Sequence, residues 1–200
     1  PLAFMDVGKN QWDTRYNIGY WLWELEEFPK EWLPAFHLLD EVWTPSEFIS
    51  QNLRKYTDKP VYTLPYSVTA PADAAYDRDY FHLPKDRFLF LMMYDSGSGM
   101  VRKNPLGAIE AFKQAFDRGN KQVGLVIKMN RSEQSEKDIE NIRTKLDGYD
   151  NIYFICETLS KTAVNSLTAC VDVFVSLHRA EGFGLVMAEA MLLGKPVIAT

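Results

Sequence analysis

The sequence is poor in cysteine, with two in 200 residues, and neither has metal-ligand spacing. Cys156 and Cys170 lie in the apolar runs "IYFICETL" and "SLTACVDVF", so they are read as reduced core residues, which suits the cytoplasm. No apolar run reaches membrane-spanning length, so no segment is expected to cross a bilayer. Positive charge is not in excess either. Lys and Arg number 22 against 27 Asp and Glu, a net charge of −5, and no nucleic-acid partner is expected. The opening "PLAFMDVG" has no initiating Met and no signal-peptide pattern, while the closing "GKPVIAT" stops at the end of a strand-like run. The chain is therefore expected to be a piece of a longer protein.

What is present is an ordinary globular composition, 46% apolar and 24% charged. From about residue 88 the pattern alternates between strand and helix. "FLFLMMY" is a continuous apolar run of the kind found in strands covered on both faces. "NPLGAIEAFKQAFDRG" predicts a helix with Asn104 as N-cap, Pro105 at the first position and Gly119 near its end. The strand "VGLVIK", a polar helix over about 135–147, the strand "NIYFIC", and a helix opened by Ser160 follow. The strand "VDVFVSL", the helix "GLVMAEAMLLG" and the strand "PVIAT" complete the rhythm. The pattern predicts an α/β fold with a parallel sheet.

Residues 1–68 are instead rich in Trp and Tyr and predict the end of another α/β domain, with Ser46 capping a helix. Residues 69–86 lack a clean period and are read as an interdomain linker, which leaves 87–200 as the second domain. The cluster Trp12, Tyr16, Tyr20, Trp21 and Trp23 is expected to be core rather than a sugar-stacking platform.

Open parallel sheets bind ligands beyond the carboxyl ends of their strands. Three loops at that edge are unusual: "DSGSGMVRK", "MNRSEQ" and "HRAEGFG". Gly182 and Gly184 allow close backbone approach to a ligand at the start of a helix, whose free N–H groups favour an anion. Arg102 and Lys103 could neutralise a diphosphate across the same edge. Lys103 is read as a helix-start lysine, a position that opposes the helix dipole unless an anion is near. Glu181 before the turn and Glu189 in the apolar helix suit polyhydroxyl ligands such as a sugar and a ribose. His178 and Lys128 are read as a satisfied and a solvated strand-end residue. "GFGLVM" is no dinucleotide fingerprint, because Met187 stands where the third glycine belongs.

"EGFGLVMAEAMLLGKPVIAT" resembles the segment of paired glutamates in retaining GT-B glycosyltransferases of family 4. "DEVWTPSEFI" is similar to the segment closing their N-terminal domain, and "RKNPLGAIEAF" to their donor-phosphate loop and helix. The resemblance implies two Rossmann-like domains with parallel sheets, both incomplete in this chain. It also implies no metal and no cofactor, with a GDP- or UDP-linked sugar as donor substrate. By that likeness Glu181 contacts the donor sugar and Glu189 the ribose. Gly182, Phe183, Gly184 and Leu185 cradle sugar and phosphate, and Lys103 binds the diphosphate and stabilises the leaving group.

Many relatives carry an Arg just after the first strand of this domain, whereas Asp95, Ser96 and Gly97 stand here. Either Arg102 takes over part of that charge, or Ser96 and backbone N–H groups suffice. Glu24 is the candidate on the acceptor side. The implied activity is retaining transfer of a hexose to a saccharide or lipid-linked acceptor, in the cytoplasm. Peripheral contact with the inner face of the membrane would fall to the missing N-terminal part. A non-catalytic sugar-nucleotide or carbohydrate-binding module of the same fold is the alternative.

Overall fold

A computed structural model describes residues 12–130, 133–146 and 148–200. The chain divides into two compact units, 1–67 with 180–184, and 68–179 with 185–200.

The first unit is a short parallel sheet in the order β1 (Ile18–Tyr20), β2 (Glu41–Thr44), β3 (Val61–Thr63). A 3₁₀ helix, Lys30–Leu38, precedes β2, and α1 (Glu47–Leu53) joins β2 to β3. Ser46 caps α1 as its sequence predicts, accepting from the Ile49 amide at 3.4 Å. Phe28, Phe36, Leu39, Val42, Ile49, Leu53 and Val61 form the core, with Trp12, Trp21 and Trp23 packed on it. Trp21 stacks on Phe28 at 5.5 Å. Those three tryptophans are therefore core residues, as expected, whereas Tyr16 and Tyr20 of the same cluster are exposed.

The second unit carries a five-stranded parallel sheet. It comprises β4 (Phe88–Tyr94), β5 (Val123–Met129), β6 (Ile152–Ile155), β7 (Val173–Ser176) and β8 (Val197–Ala199), in the order β6-β5-β4-β7-β8. The helices are α2 (Met100–Lys103), α3 (Pro105–Ala115), α4 (Glu133–Leu146), α5 (Lys161–Cys170) and α6 (Leu185–Leu192). This parallel α/β architecture is the one its sequence predicts. Among the described residues no helix is long and apolar enough to cross a membrane.

Both faces of the sheet are covered, which explains why its strands read as unbroken apolar runs. Met92 and Tyr94 of β4 pack with Ile109 and Phe112 of α3 and Ile142 of α4. Leu89, Leu91 and Met93 point the other way, into a cluster with Leu167 of α5 and Ala190 of α6. The chain runs from β4 outward to β6, then returns to the far side of β4 as β7. The β4/β7 boundary is thus the topological switch point, beyond whose carboxyl ends such sheets bind ligands.

Residues 69–86, expected as a linker, contain no regular helix or strand but are packed on this unit. Phe81 and Leu83 are buried in its core. Arg78 donates to the carbonyls of Cys170 and Arg87 at 2.8 Å and pairs with Asp172 at 2.9 Å. Asp172 also accepts from the Leu89 amide at 2.7 Å, so one half-buried ion pair ties this segment, the end of α5 and the start of β4 together. Arg78→Ala is expected to destabilise the unit by about 2–3 kcal/mol, read by thermal melting, because several carbonyls and a carboxylate lose a charged donor at once. An unchanged melting temperature would contradict that role.

Candidate active site

Two loops meet at the switch point of the second unit. The loop after β4 opens with Asp95, whose carboxylate accepts from the Gly97 amide at 3.0 Å and caps the 3₁₀ turn Ser96–Ser98. Gly99, at φ 86°, then turns the chain into α2. Arg102 and Lys103 are half-buried in the last turn of α2. Lys103 thus closes the single turn of α2 and directly precedes Asn104, the N-cap position of α3, so it also stands at the helix start that its sequence context predicts.

Asn104 stands at the N-cap position of α3 as predicted, but its side chain makes no capping hydrogen bond. It adopts the left-handed conformation (φ 47°, ψ 47°), which few residues other than glycine tolerate as well. Pro105 takes the first position of α3, where no N–H is needed. The Asn104 amide is thereby turned toward the other loop and donates to the Leu177 carbonyl at 3.0 Å. The Arg179 N–H donates to the Arg102 carbonyl at 2.8 Å, and the Arg179 guanidinium lies 3.5 Å from the Asn104 side-chain oxygen. The loops after β4 and β7 are therefore joined at three points, and Arg179, exposed beside the joint, adds a cation that the sequence did not single out. His178, between Leu177 and Arg179, is buried, and its carbonyl accepts from the Thr200 hydroxyl at 2.7 Å.

Glu189 lies in α6 with 4% exposure, and its carboxylate pairs with the ammonium of Lys161, the first residue of α5, at 2.5 Å. Lys161 was not legible as a partner, because 28 residues separate it from Glu189. Ser160 caps α5 as expected and thereby sets where Lys161 stands. Lys128 is a correction. A strand-end lysine suggests a solvated side chain, yet this one is 3% exposed. Its ammonium donates to the Met129 carbonyl and the Asn130 side-chain oxygen, both at 3.1 Å, and burial pushes its pKa below the usual lysine value.

The turn carrying the first glutamate groups with the first unit. Glu181 is half-buried. The Gly182 carbonyl accepts from the Ser46 hydroxyl at 2.5 Å, so the cap of α1 also holds this turn. A Cβ at Gly182 would stand 2.7 Å from the Trp23 carbonyl oxygen and 3.0 Å from Ile49 Cδ1. The glycine is thus required by the protein's own packing, a reason distinct from the ligand approach read from sequence. Glu24 follows directly on Trp23 in this unit and is half-buried. Phe183 meets the Tyr66 ring edge-on at 5.0 Å. Gly184, at φ 77°, needs the conformational freedom of glycine, and Leu185, exposed, begins α6. Ser96 lies in the 3₁₀ turn by its backbone, and its side chain falls outside the description. Among the described residues there is no group of three or more His, Cys, Asp or Glu able to hold a metal ion.

A family model described as glycosyl transferases group 1 matches residues 82–200. A trehalose synthase from Rubrobacter xylanophilus is 29% identical over 102 residues, which cover 49% of this chain and 24% of that protein. Among solved structures, a sucrose-phosphate synthase from Thermosynechococcus elongatus superposes with a TM-score of 0.69 at 21% identity, covering 86% of this chain and 44% of that one. HepE of Anabaena, solved with UDP and glucose, gives a TM-score of 0.67 at 19% identity, covering 86% and 48%. These likenesses carry the fold. The chain spans about a quarter of the curated relative and less than half of either solved chain.

Proposed function

The chain belongs to the group 1 glycosyl transferases, and from that premise we propose that the full-length protein transfers a hexose from a GDP- or UDP-linked sugar to a saccharide or lipid-linked acceptor, with retention of anomeric configuration. The observation that carries this reading is the joint between the loops after β4 and β7. It fixes Arg102 and Lys103 at the switch point, where an open parallel sheet takes its ligand. Cleaving a sugar–phosphate bond leaves negative charge on the diphosphate and positive character on the sugar. Cations fixed beforehand on the leaving group stabilise that charge without reorganising during the reaction. In the proposal, Lys103 meets the diphosphate with Arg102 beside it, Glu181 accepts hydrogen bonds from donor-sugar hydroxyls, and Glu189 accepts from the ribose. Glu189 is pre-oriented for that role by Lys161. The reaction needs no metal and no cofactor in this reading. The donor is met in the cytoplasm, with any contact at the inner membrane face made by parts of the protein outside this chain.

Incubating the full-length protein with UDP- and GDP-hexoses and a panel of acceptors is expected to release nucleoside diphosphate and to give a product of unchanged anomeric configuration by NMR. An inverted product would overturn retention. A second reading is favoured by Asp95, a carboxylate at the end of β4 where relatives are expected to carry Arg. A binding module that has lost the reaction would bind nucleotide-sugars in calorimetry and release no nucleoside diphosphate.

A further inference from the structure

Lys128 and Ser176 are buried polar residues with unmet hydrogen-bonding capacity on one face of the second unit's sheet. Lys128 is the penultimate residue of β5, whose residues 123, 125, 127 and 129 pack toward α3 and α4. By alternation Lys128 faces the opposite way, with Val126, toward the layer of α5 and α6. It pairs in register with Met93 of β4, which lies on that same face. Across β4, Leu91 pairs with Phe174, so Ser176, two residues on, continues the row beyond Met93. The two polar residues thus flank Met93 at the carboxyl edge, about 10 Å apart by strand spacing.

Neither is explained by the fold. The Ser176 hydroxyl, with the residue 2% exposed, has no hydrogen-bond partner among the described residues. Among the described residues the Lys128 ammonium meets two neutral oxygens, and none of the ion pairs includes it. Asp95 beyond β4 and Cys156 and Glu157 beyond β6 act on it electrostatically from either side. A methionine would fill similar volume without the cost of burying a charge, and among the described residues no carboxylate forms an ion pair with Lys128 that would offset that cost. An anion arriving at this edge would offset that cost and satisfy the remaining N–H and O–H groups together.

We infer that Lys128 and Ser176 contact the phosphoryl oxygens of the donor nucleotide, with Lys128 as the cation of this second row. The inference rests on the donor-binding reading above and assigns that site residues beyond Arg102 and Lys103. No bond is made or broken by either residue. Their role is binding.

The test is calorimetry on the full-length protein with UDP, GDP, inorganic pyrophosphate, uridine and guanosine, beside ligand-free thermal melting. Lys128→Met is expected to weaken binding of the preferred nucleoside diphosphate at least tenfold, to leave the phosphate-free nucleosides unaffected, and to melt no lower than the native protein. Lys128→Gln keeps donors for Met129 and Asn130 but removes the charge. It is expected to show the same loss, and it reads the proposal if Lys128→Met fails to fold. Ser176→Ala is expected to weaken binding a few-fold with no fall in melting temperature. Pyrophosphate responding in parallel would place the contact on the phosphates themselves, whereas a loss confined to the nucleosides would overturn it. Native protein binding nucleoside diphosphate with both Lys128 variants within twofold of it would overturn this inference alone. Native protein binding neither UDP nor GDP would overturn the donor reading itself.

Discussion

Replacing Lys103 by alanine in the full-length protein is expected to reduce hexose transfer by about 10²–10³-fold, the effect seen when one preorganised donor to a developing anion is removed. The loss should fall mainly on kcat, because charge on the diphosphate grows as the sugar–phosphate bond breaks and a contact that strengthens in the transition state is felt there. The geometry favours a large effect. Lys103 ends α2, Asn104 locks the chain into the turn that follows, and the hydrogen bond from the Arg179 amide to the Arg102 carbonyl holds the preceding residue. A lysine on such a support loses little of its effect to wandering. Near-native transfer in the variant, or a loss confined to KM, would contradict the assigned role. Lys103→Arg should recover only part of the rate, since a planar fork replaces a compact point charge.

Glu181→Ala is the second large effect, with transfer again expected to fall by about two orders of magnitude or more, as removal of a group that orients the reacting sugar does. The support is on the page here too. The next residue is pinned by the Ser46 hydroxyl at one end of the peptide and by its lack of a side chain against Trp23 at the other. Binding of the nucleoside diphosphate alone should be nearly unchanged in this variant, because the contact is assigned to the sugar. If Glu181→Ala instead weakened UDP or GDP binding while sparing turnover, the carboxylate would belong to the nucleotide half of the site. Gly182→Ala is not a substitute for this test. Its methyl group would collide with the backbone at Trp23 and confuse packing with catalysis.

The strands, the caps at Ser46 and Ser160, and the parallel order were legible because local physics writes them directly. Covered strands require unbroken apolar runs, and a hydroxyl before a helix satisfies an orphan amide. What escaped was decided by partners distant in sequence or by a conformation with no periodicity. α2 is one turn long, too short to show a repeat, so the sequence placed Lys103 before α3 but did not show that it also closes α2. Asn104 before proline reads as a cap, and only the fold shows its amide spent on the Leu177 carbonyl. Lys128 was misread because a lysine near a strand end usually reaches water, whereas here helices cover that face. The pairing of Glu189 with Lys161 joins two helices that no local pattern connects. Residues 69–86 looked like a tether because a segment without regular structure has no period, yet Arg78, Phe81 and Leu83 fasten it to the sheet.

The central claim is that the edge between the loops after β4 and β7 holds the diphosphate of a sugar-nucleotide. A crystal structure of the full-length protein soaked with UDP or GDP tests it most directly. The account predicts density for the two phosphates within hydrogen-bonding distance of Lys103, beside the Asn104–Leu177 joint. Phosphates seated elsewhere on the protein, with Lys103 left to solvent, would contradict it.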